Sequence, residues 1–233
     1  MVFRFKKFKV NQQNSAMKVG TDGVLLGAWA DFRNPKTILD IGSGTGLIAL
    51  MLAQRFPDAG ISAVEIEHQA AAESKLNFKK SAWSERMTLI ENDFLDFNPE
   101  KTFDLLVSNP PYFINDLASN DKKRAGARNG ELPLESLFEK ARKLMHQQSR
   151  FCLIYPYDKR KQLNNAAIKN GFYPNELSLI YPIKNVPPKR ILIAFGLIKN
   201  KELAESSLII EENGRHQYSS DYRILTKDFY LKF

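Results

Sequence analysis

The sequence predicts an α/β protein whose core is a doubly wound, seven-stranded sheet, parallel except for one late antiparallel strand. Three observations carry that expectation. Short runs rich in β-branched and large apolar residues alternate with stretches at helical spacing from residue 37 to about 198. The first run, Thr37–Ile41, passes through Asp40-Ile41-Gly42-Ser43-Gly44-Thr45-Gly46 into an apolar helical stretch, Leu47–Phe56. A later run, Phe103–Val107, ends in Ser108-Asn109-Pro110-Pro111-Tyr112-Phe113. Two prolines cannot continue a ladder, and Pro110 holds Asn109 in an extended conformation. In open α/β sheets, ligands bind at the carboxyl ends of strands, where both of these turns fall.

The remaining elements follow in order. Phe3–Val10 partly alternates aromatic with basic residues, Phe3, Phe5 and Phe8 among Arg4, Lys6, Lys7 and Lys9. It reads as a terminal strand with one buried face, its basic face either solvated or set against nucleic-acid phosphates. Gly23–Ala30 suggests a short helix that Asp22 is placed to cap. Strands are expected at Ile61–Ile66, Met87–Ile90, Phe151–Tyr155, Glu176–Pro182 and Arg190–Leu197, with Leu208–Ile210 as an added edge. Helices are expected at Gln69–Lys79, Pro133–Met145 and Lys159–Asn170. That makes five strand–helix alternations followed by a strand pair. One domain is expected over 1–233: an N-terminal extension to residue 36 that covers the ligand side, a core over 37–198 and a C-terminal strand extension over 199–233.

Composition bounds the function. The 233 residues are 43% hydrophobic, enough for a full core, and the net charge of +8 favours a polyanionic partner. A single cysteine, Cys152, excludes an internal disulfide and suits a reducing compartment. No apolar run approaches the ~20 residues of a membrane span. Met1–Lys7 lacks an uninterrupted apolar stretch, so a cytoplasmic protein without membrane association is expected. No metal-ligand spacing is visible, and none of His68, His146 and His216 falls in a motif.

The turn at Asn109 has a specific chemical capacity. Its side-chain carbonyl and the Pro110 main-chain carbonyl can each accept one hydrogen from a planar –NH2. Both bonds draw the nitrogen lone pair out of conjugation and toward an electrophile, while Tyr112 stacks on the ring that carries the amine. The glycine loop narrows the cofactor. A dinucleotide fingerprint with Gly42 and Gly44 needs its third glycine at residue 47, which is Leu47. Glu65 lies about twenty residues past the loop, where an acid can accept from both ribose hydroxyls.

The loop Asp40–Gly46 resembles the S-adenosylmethionine loop, and Asn109–Tyr112 resembles the signature of amino-group methyltransferases acting on adenine, cytosine or glutamine amides. Together with Met17–Trp29, Ala63–Glu67, Arg124–Arg128 and the tail Leu225–Phe233, they make the chain similar to the bacterial tRNA1(Val) adenine-N6 methyltransferases. The resemblance implies a class I methyltransferase, Rossmann-like fold and methylation of the adenosine immediately 3′ of the anticodon. Asn109, Pro110, Pro111 and Tyr112 would be catalytic. Asp40, Gly42, Ser43, Gly44, Gly46, Glu65, Ile66, Asp93, Phe94 and Asn109 would bind S-adenosylmethionine, Asp93 accepting from its adenine amine. In many methyltransferases a helix before the first core strand covers this pocket, which gives Asp22 a second role.

The basic stretch Asn115–Glu131 is longer than packing requires and reads as a substrate lid. Lys122, Lys123, Arg124 and Arg128 there, with Lys189 and Arg190 in a rigid Pro-rich loop, are the candidate RNA contacts. Where the family pattern leads to a histidine after Arg128, this chain has Asn129. The partner is then the valine tRNA, and the protein is expected to act as a monomer. Two rivals remain at this point. A protein-glutamine methyltransferase shares Asn-Pro-Pro-Tyr but usually carries a helical domain ahead of the catalytic one. A non-catalytic RNA-binding module would not need the Asn109 turn or the cofactor acids.

Overall fold

The computed structural model describes residues 1–13, 15, 17–111, 132–212 and 214–232. An antiparallel hairpin comes first, β1 (Val2–Arg4) with β2 (Lys9–Asn11), followed by helix α1 (Thr21–Trp29). The core then runs β3 (Thr37–Ile41), α2 (Leu47–Arg55), β4 (Gly60–Glu65), α3 (His68–Lys79), β5 (Met87–Glu91) and β6 (Phe103–Ser108). It continues with α4 (Leu134–Lys143), β7 (Met145–Pro156), α5 (Arg160–Lys169), β8 (Tyr173–Ile183), β9 (Arg190–Gly196), β10 (Ala204–Glu211) and α6 (Ser220–Thr226).

Eight strands form the main sheet in the order β10-β8-β9-β7-β6-β3-β4-β5. Only β9 runs against its neighbours, pairing antiparallel with both β7 and β8. The eighth strand, β10, extends the expected edge segment and pairs parallel with β8. This is the class I methyltransferase architecture.

Side chains alternate across the sheet with the period of two that a pleated strand imposes. Ile38, Leu105, Val107, Cys152 and Ile154 join one core with α1, α2 and α6, whereas Leu39, Leu106, Phe151, Leu153 and Tyr155 join a second core with α4 and α5. Two glycines let α1 lie close on α2. A Cβ at Gly27 would come within 2.7 Å of Met51 Sδ, and one at Gly23 within 3.0 Å of Leu47 Cδ2.

Three expectations are corrected. The crossover from β5 to β6, residues 92–102, carries no helix. Phe94 and Phe97 from that segment are buried in the second core, covering the sheet where a helix would otherwise sit. Asp22 does not cap α1: the N-cap is Gly20, without a side-chain bond, and the Asp22 carboxylate accepts from Arg190 Nε at 2.8 Å.

The C-terminal extension, expected as strand, becomes helix after β10. The Ser219 hydroxyl accepts from the Tyr222 amide at 3.0 Å, satisfying an orphan donor of the first turn. Tyr222 and Phe229 then complete the first core, and burial pushes the Tyr222 hydroxyl far above the ordinary tyrosine range. The tail also meets the N-terminal hairpin. The Lys6 amide donates to the Phe229 carbonyl at 2.8 Å, and the Phe5 ring lies 5.9 Å from Tyr230.

At the opposite end of the sheet from the strand C-termini, Asp104 ties three strand starts together. Its Oδ2 accepts from the Lys36 and Thr37 amides at 2.7 and 2.9 Å, and its Oδ1 meets His146 Nε2 at 2.9 Å. Desolvation would raise this carboxyl, but those bonds outweigh it and hold it below the usual value. A depressed folded-state pKa means stability present above the unfolded value near pH 4 and lost as pH falls through the folded one. Asp104→Asn is therefore expected to cost about 1–2 kcal/mol at neutral pH and to flatten the acid limb of the stability curve. Urea unfolding between pH 3 and 7 measures both; an unchanged acid limb would remove Asp104 from that role.

Candidate active site

Parallel register brings the strand ends to one edge. Ile41 pairs with Val64 on one side and Ser108 on the other, and Glu65 pairs with Glu91. The residues that follow, Gly42, Ile66, Asn92-Asp93 and Asn109, therefore leave the sheet together. The strand order reverses between β3 and β6, where an open sheet forms its ligand crevice. Two adjoining pockets occupy that crevice and share Met17, Gly42, Gly44 and Asn109, so they form one cleft. The first also takes Glu65, Ile66, Asp93, Phe94 and Pro111; the second takes Asp22, Ser43 and Thr45.

The glycine loop is built for a ligand's approach. Gly42, Gly44 and Gly46 all have left-handed backbones, φ +68°, +56° and +81°. A Cβ at Gly42 or Gly44 would meet nothing within 4 Å, whereas at Gly46 it would lie 2.5 Å from the Phe78 ring. The first two thus keep the cleft floor open, and the third keeps α3 packed on the start of α2.

Asp40 lies behind this loop, fully buried, and does not line the cleft. Its Oδ2 accepts from the Ser43 hydroxyl at 2.8 Å and the Ala49 amide at 3.1 Å. Burial pushes the Asp40 carboxyl up to about 7; the Ser43 and Ala49 bonds pull it down, and the nearby Glu65 charge pushes it up. Among the described residues its Oδ1 has no partner. Asp40 thus supports the loop from within.

Glu65 faces the cleft directly. Its Oε2 accepts from the Gly44 amide at 2.7 Å and its Oε1 from the Glu67 amide at 2.9 Å. An ionised carboxylate offers roughly four acceptor positions, so about two remain for a ligand's hydroxyls. Glu67, by contrast, caps α3 by accepting from the Gln69 and Ala70 amides at 3.0 and 2.7 Å. Asp93 fixes its own turn through the Leu95 amide at 2.8 Å and still lines the cleft beside the buried Phe94. Asn109 is half-buried and borders both pockets; Pro110 behind it is buried. An open glycine floor, two carboxylates and a buried aromatic suit S-adenosylmethionine, with Asn109 where the two pockets meet.

The N-terminal extension was expected to cover the cofactor and substrate side; sequence reasoning missed what holds this roof in place. Ser15, Met17 and Lys18 border the cleft, and Asn11, Gln13 and Ser15 are held by two side chains of α3 one turn apart. Glu73 accepts from the Gln13 amide at 2.6 Å and from both the amide and hydroxyl of Ser15. Asn77 accepts from the Asn11 amide at 2.8 Å and donates to the Asn11 and Thr45 carbonyls. Lys18 gathers the carbonyls of Gln12 and Ser15 at 2.7 and 2.8 Å. Ser15 and Met17 thereby line the cleft. The available signal was a polar pair at i, i+4 on an otherwise small or apolar face.

Of the expected RNA contacts, Lys189 is exposed, while Arg190 is half-buried and turned onto Asp22 at the cleft rim. Tyr112, Lys122, Lys123, Arg124, Arg128 and Asn129 lie outside the described residues. Among the described residues no group of three metal-ligating side chains occurs, and no helix is long and apolar enough to cross a membrane.

The loop geometry separates two effects of one substitution. Gly46→Ala must displace Phe78 and Ser74 and strain the backbone, so a loss of at least about 2 kcal/mol in urea unfolding is expected. Gly44→Ala costs only the backbone strain, about 1 kcal/mol, while its methyl enters the cleft and weakens cofactor binding in calorimetry. Equal stability losses with intact binding in both variants would contradict this geometry.

The methyltransferase small domain family matches residues 17–155. A Bacteroides thetaiotaomicron protein named tRNA1(Val) (adenine(37)-N6)-methyltransferase is 42% identical over 231 residues, covering 98% of this chain and 97% of its own. A Flavobacterium psychrophilum protein of the same name is 40% identical, covering 99% of this chain and 100% of its own. Among solved structures, a predicted O-methyltransferase from Agrobacterium tumefaciens superposes with a TM-score of 0.70 at 22% identity, over 89% of this chain and 96% of its own. A glycopeptide N-methyltransferase solved with S-adenosylmethionine gives 0.54 at 13% identity, over 79% and 91%. At those identities the likeness is one of fold. The full-length relatives go further: the chain belongs to the tRNA1(Val) (adenine(37)-N6)-methyltransferase family.

Proposed function

We propose that this chain methylates N6 of adenosine 37 in tRNA1(Val), working as a cytoplasmic monomer. The observation that carries the reading is Asn109 at the end of β6, in one cleft with the glycine floor and Glu65. The names of the near-full-length relatives support the substrate.

When bound, S-adenosylmethionine supplies a methyl group on a sulfonium. The chain's own residues do the positioning. Glu65 would accept from ribose hydroxyls, Asp93 would accept from the cofactor's adenine amine, and Phe94 would pack beside that ring. The Asn109 side-chain carbonyl and the Pro110 main-chain carbonyl would accept the two N6 hydrogens and draw the lone pair out of conjugation with the ring; Tyr112, outside the described residues, would be the residue to stack on the target base. No general base is needed before attack, because N6 becomes acidic only as the new bond forms. Orientation of the two reactants is the main source of rate.

Asn109→Ala is expected to lower kcat by about 100-fold or more with cofactor affinity near wild type, since its bonds matter chiefly in the transition state. Wild-type kcat in that variant would mean that something else holds the amine. Glu65→Ala should weaken S-adenosylmethionine by about 1–3 kcal/mol in calorimetry; unchanged affinity would take Glu65 out of the site. The substrate is tested with labelled cofactor and separate pools of tRNA, ribosomal RNA, DNA and protein. Label recovered as N6-methyladenosine in valine tRNA supports the reading, and label on DNA or glutamine overturns it.

A further inference from the structure

Away from the cleft, the N-terminal hairpin and the end of α3 form a groove lined by Arg4, Lys6, Lys7, Lys9, Asn11 and Lys80, with no acidic residue in its lining. The first acid in the chain is Asp22. The hairpin's other face explains why it folds at all: Phe5 and Phe8 are buried and stacked at 4.6 Å, and Phe8 meets Trp83 edge-on at 5.9 Å.

The basic face goes against local preference in two ways. Arg4 pairs directly with Lys9 across the strands, a juxtaposition of like charges that weakens a sheet. The turn between Phe5 and Phe8 is made by Lys6-Lys7, although two-residue hairpin turns favour Asn-Gly or Asp-Gly. Neither choice serves the hairpin, and such local conflicts mark function when a partner resolves them. No ion pair among the described residues neutralises Arg4, Lys7, Lys9 or Lys80.

The groove's distance from the reaction centre follows from α3. Ala70 lines the cleft and Lys80, the C-cap of the same helix, lines the groove. Ten residues at a rise of 1.5 Å place them about 15 Å apart. That corresponds to four or five stacked nucleotides at about 3.4 Å each. The chain makes the same link: Asn11 lines the groove and Ser15, four residues on, lines the cleft.

We propose that the Arg4–Lys7–Lys9–Lys80 groove binds the RNA backbone flanking the target adenosine, gripping the phosphates of the same tRNA arm. This rests on the RNA-methylation reading above. The quadruple variant R4Q/K7Q/K9Q/K80Q tests it against a charge-matched control, K101Q/K161Q/K199Q/K201Q, both in the full chain. Fluorescence anisotropy with valine tRNA across a salt series reads affinity and its salt slope.

The groove variant should bind tRNA at least about tenfold more weakly near 0.1 M salt, with a slope shallower by about three. Its kcat at saturating tRNA and its cofactor Kd should match wild type, and its Tm should not fall, since a like-charge pair is removed. The control should stay within about twofold of wild type. Unchanged tRNA affinity and slope in the groove variant, or equal weakening of the control, would overturn the proposal. A wild-type protein that methylates no RNA defeats the functional reading instead, so the two failures are distinct.

Discussion

The cleft depends on one constraint, the pairing of β3 with β4 on one side and β6 on the other. Because Ile41 faces both Val64 and Ser108, a one-residue slip in either pair would turn Glu65 or Asn109 away from the ligand and bury polar groups in a core. The two apolar cores prevent that slip, each taking alternate residues of the same strands. Ser108 adds a direct lock, its hydroxyl donating to the Ile41 carbonyl at 2.9 Å. The catalytic turn and the glycine loop are thus held by the same strand pair.

Charge is distributed within the site by depth. Asp40 is buried with its pKa raised to about 7, and it spends its bonds on Ser43 and Ala49. Glu65, nearer the surface, spends two bonds on backbone amides and keeps acceptors toward the cleft. Asp22 is turned toward the same cleft and held by Arg190. A ligand carrying both hydroxyls and a cationic end meets acceptors along its length.

Much of this was legible in the sequence, because local periodicity and turn chemistry set it. The core strands from Thr37 onward and the Gly42–Gly46 loop stand where the residue pattern puts them, and the acids at the strand ends follow from parallel order; Phe3–Val10, read as one strand, is instead two short strands about a turn. What escaped depends on partners far along the chain. Glu73 and Asn77 reach back some 60 residues to hold the roof, from Gln13 and Asn11. Phe94 and Phe97 replace an expected helix by burying rings rather than turns. Asp40 stands where a ligand-binding acid was expected, and its full burial and its bonds to Ser43 and Ala49 could not be read from the sequence. The C-terminal helix had its signal, Ser219 ahead of Asp221, obscured by the β-branched and aromatic residues around it.

The clasp between hairpin and tail joins residues 221 positions apart, Lys6 Nζ donating to the Lys227 carbonyl at 2.5 Å. Closing so large a loop before any contact rewards it is entropically costly, so the sheet has to form first and bring the two segments within reach. The order of assembly then has a direction. Asn11 can dock on α3 and Phe8 on Trp83 once those segments exist, but Phe3 and Phe5 lack their Tyr230 contact until the tail arrives. The roof over the cleft grows out of that hairpin. Translation of the tail is thus the event that finishes the hairpin's packing, and a nascent chain lacking it would hold a complete sheet and a roof tied to α3 beneath a hairpin anchored on one side only.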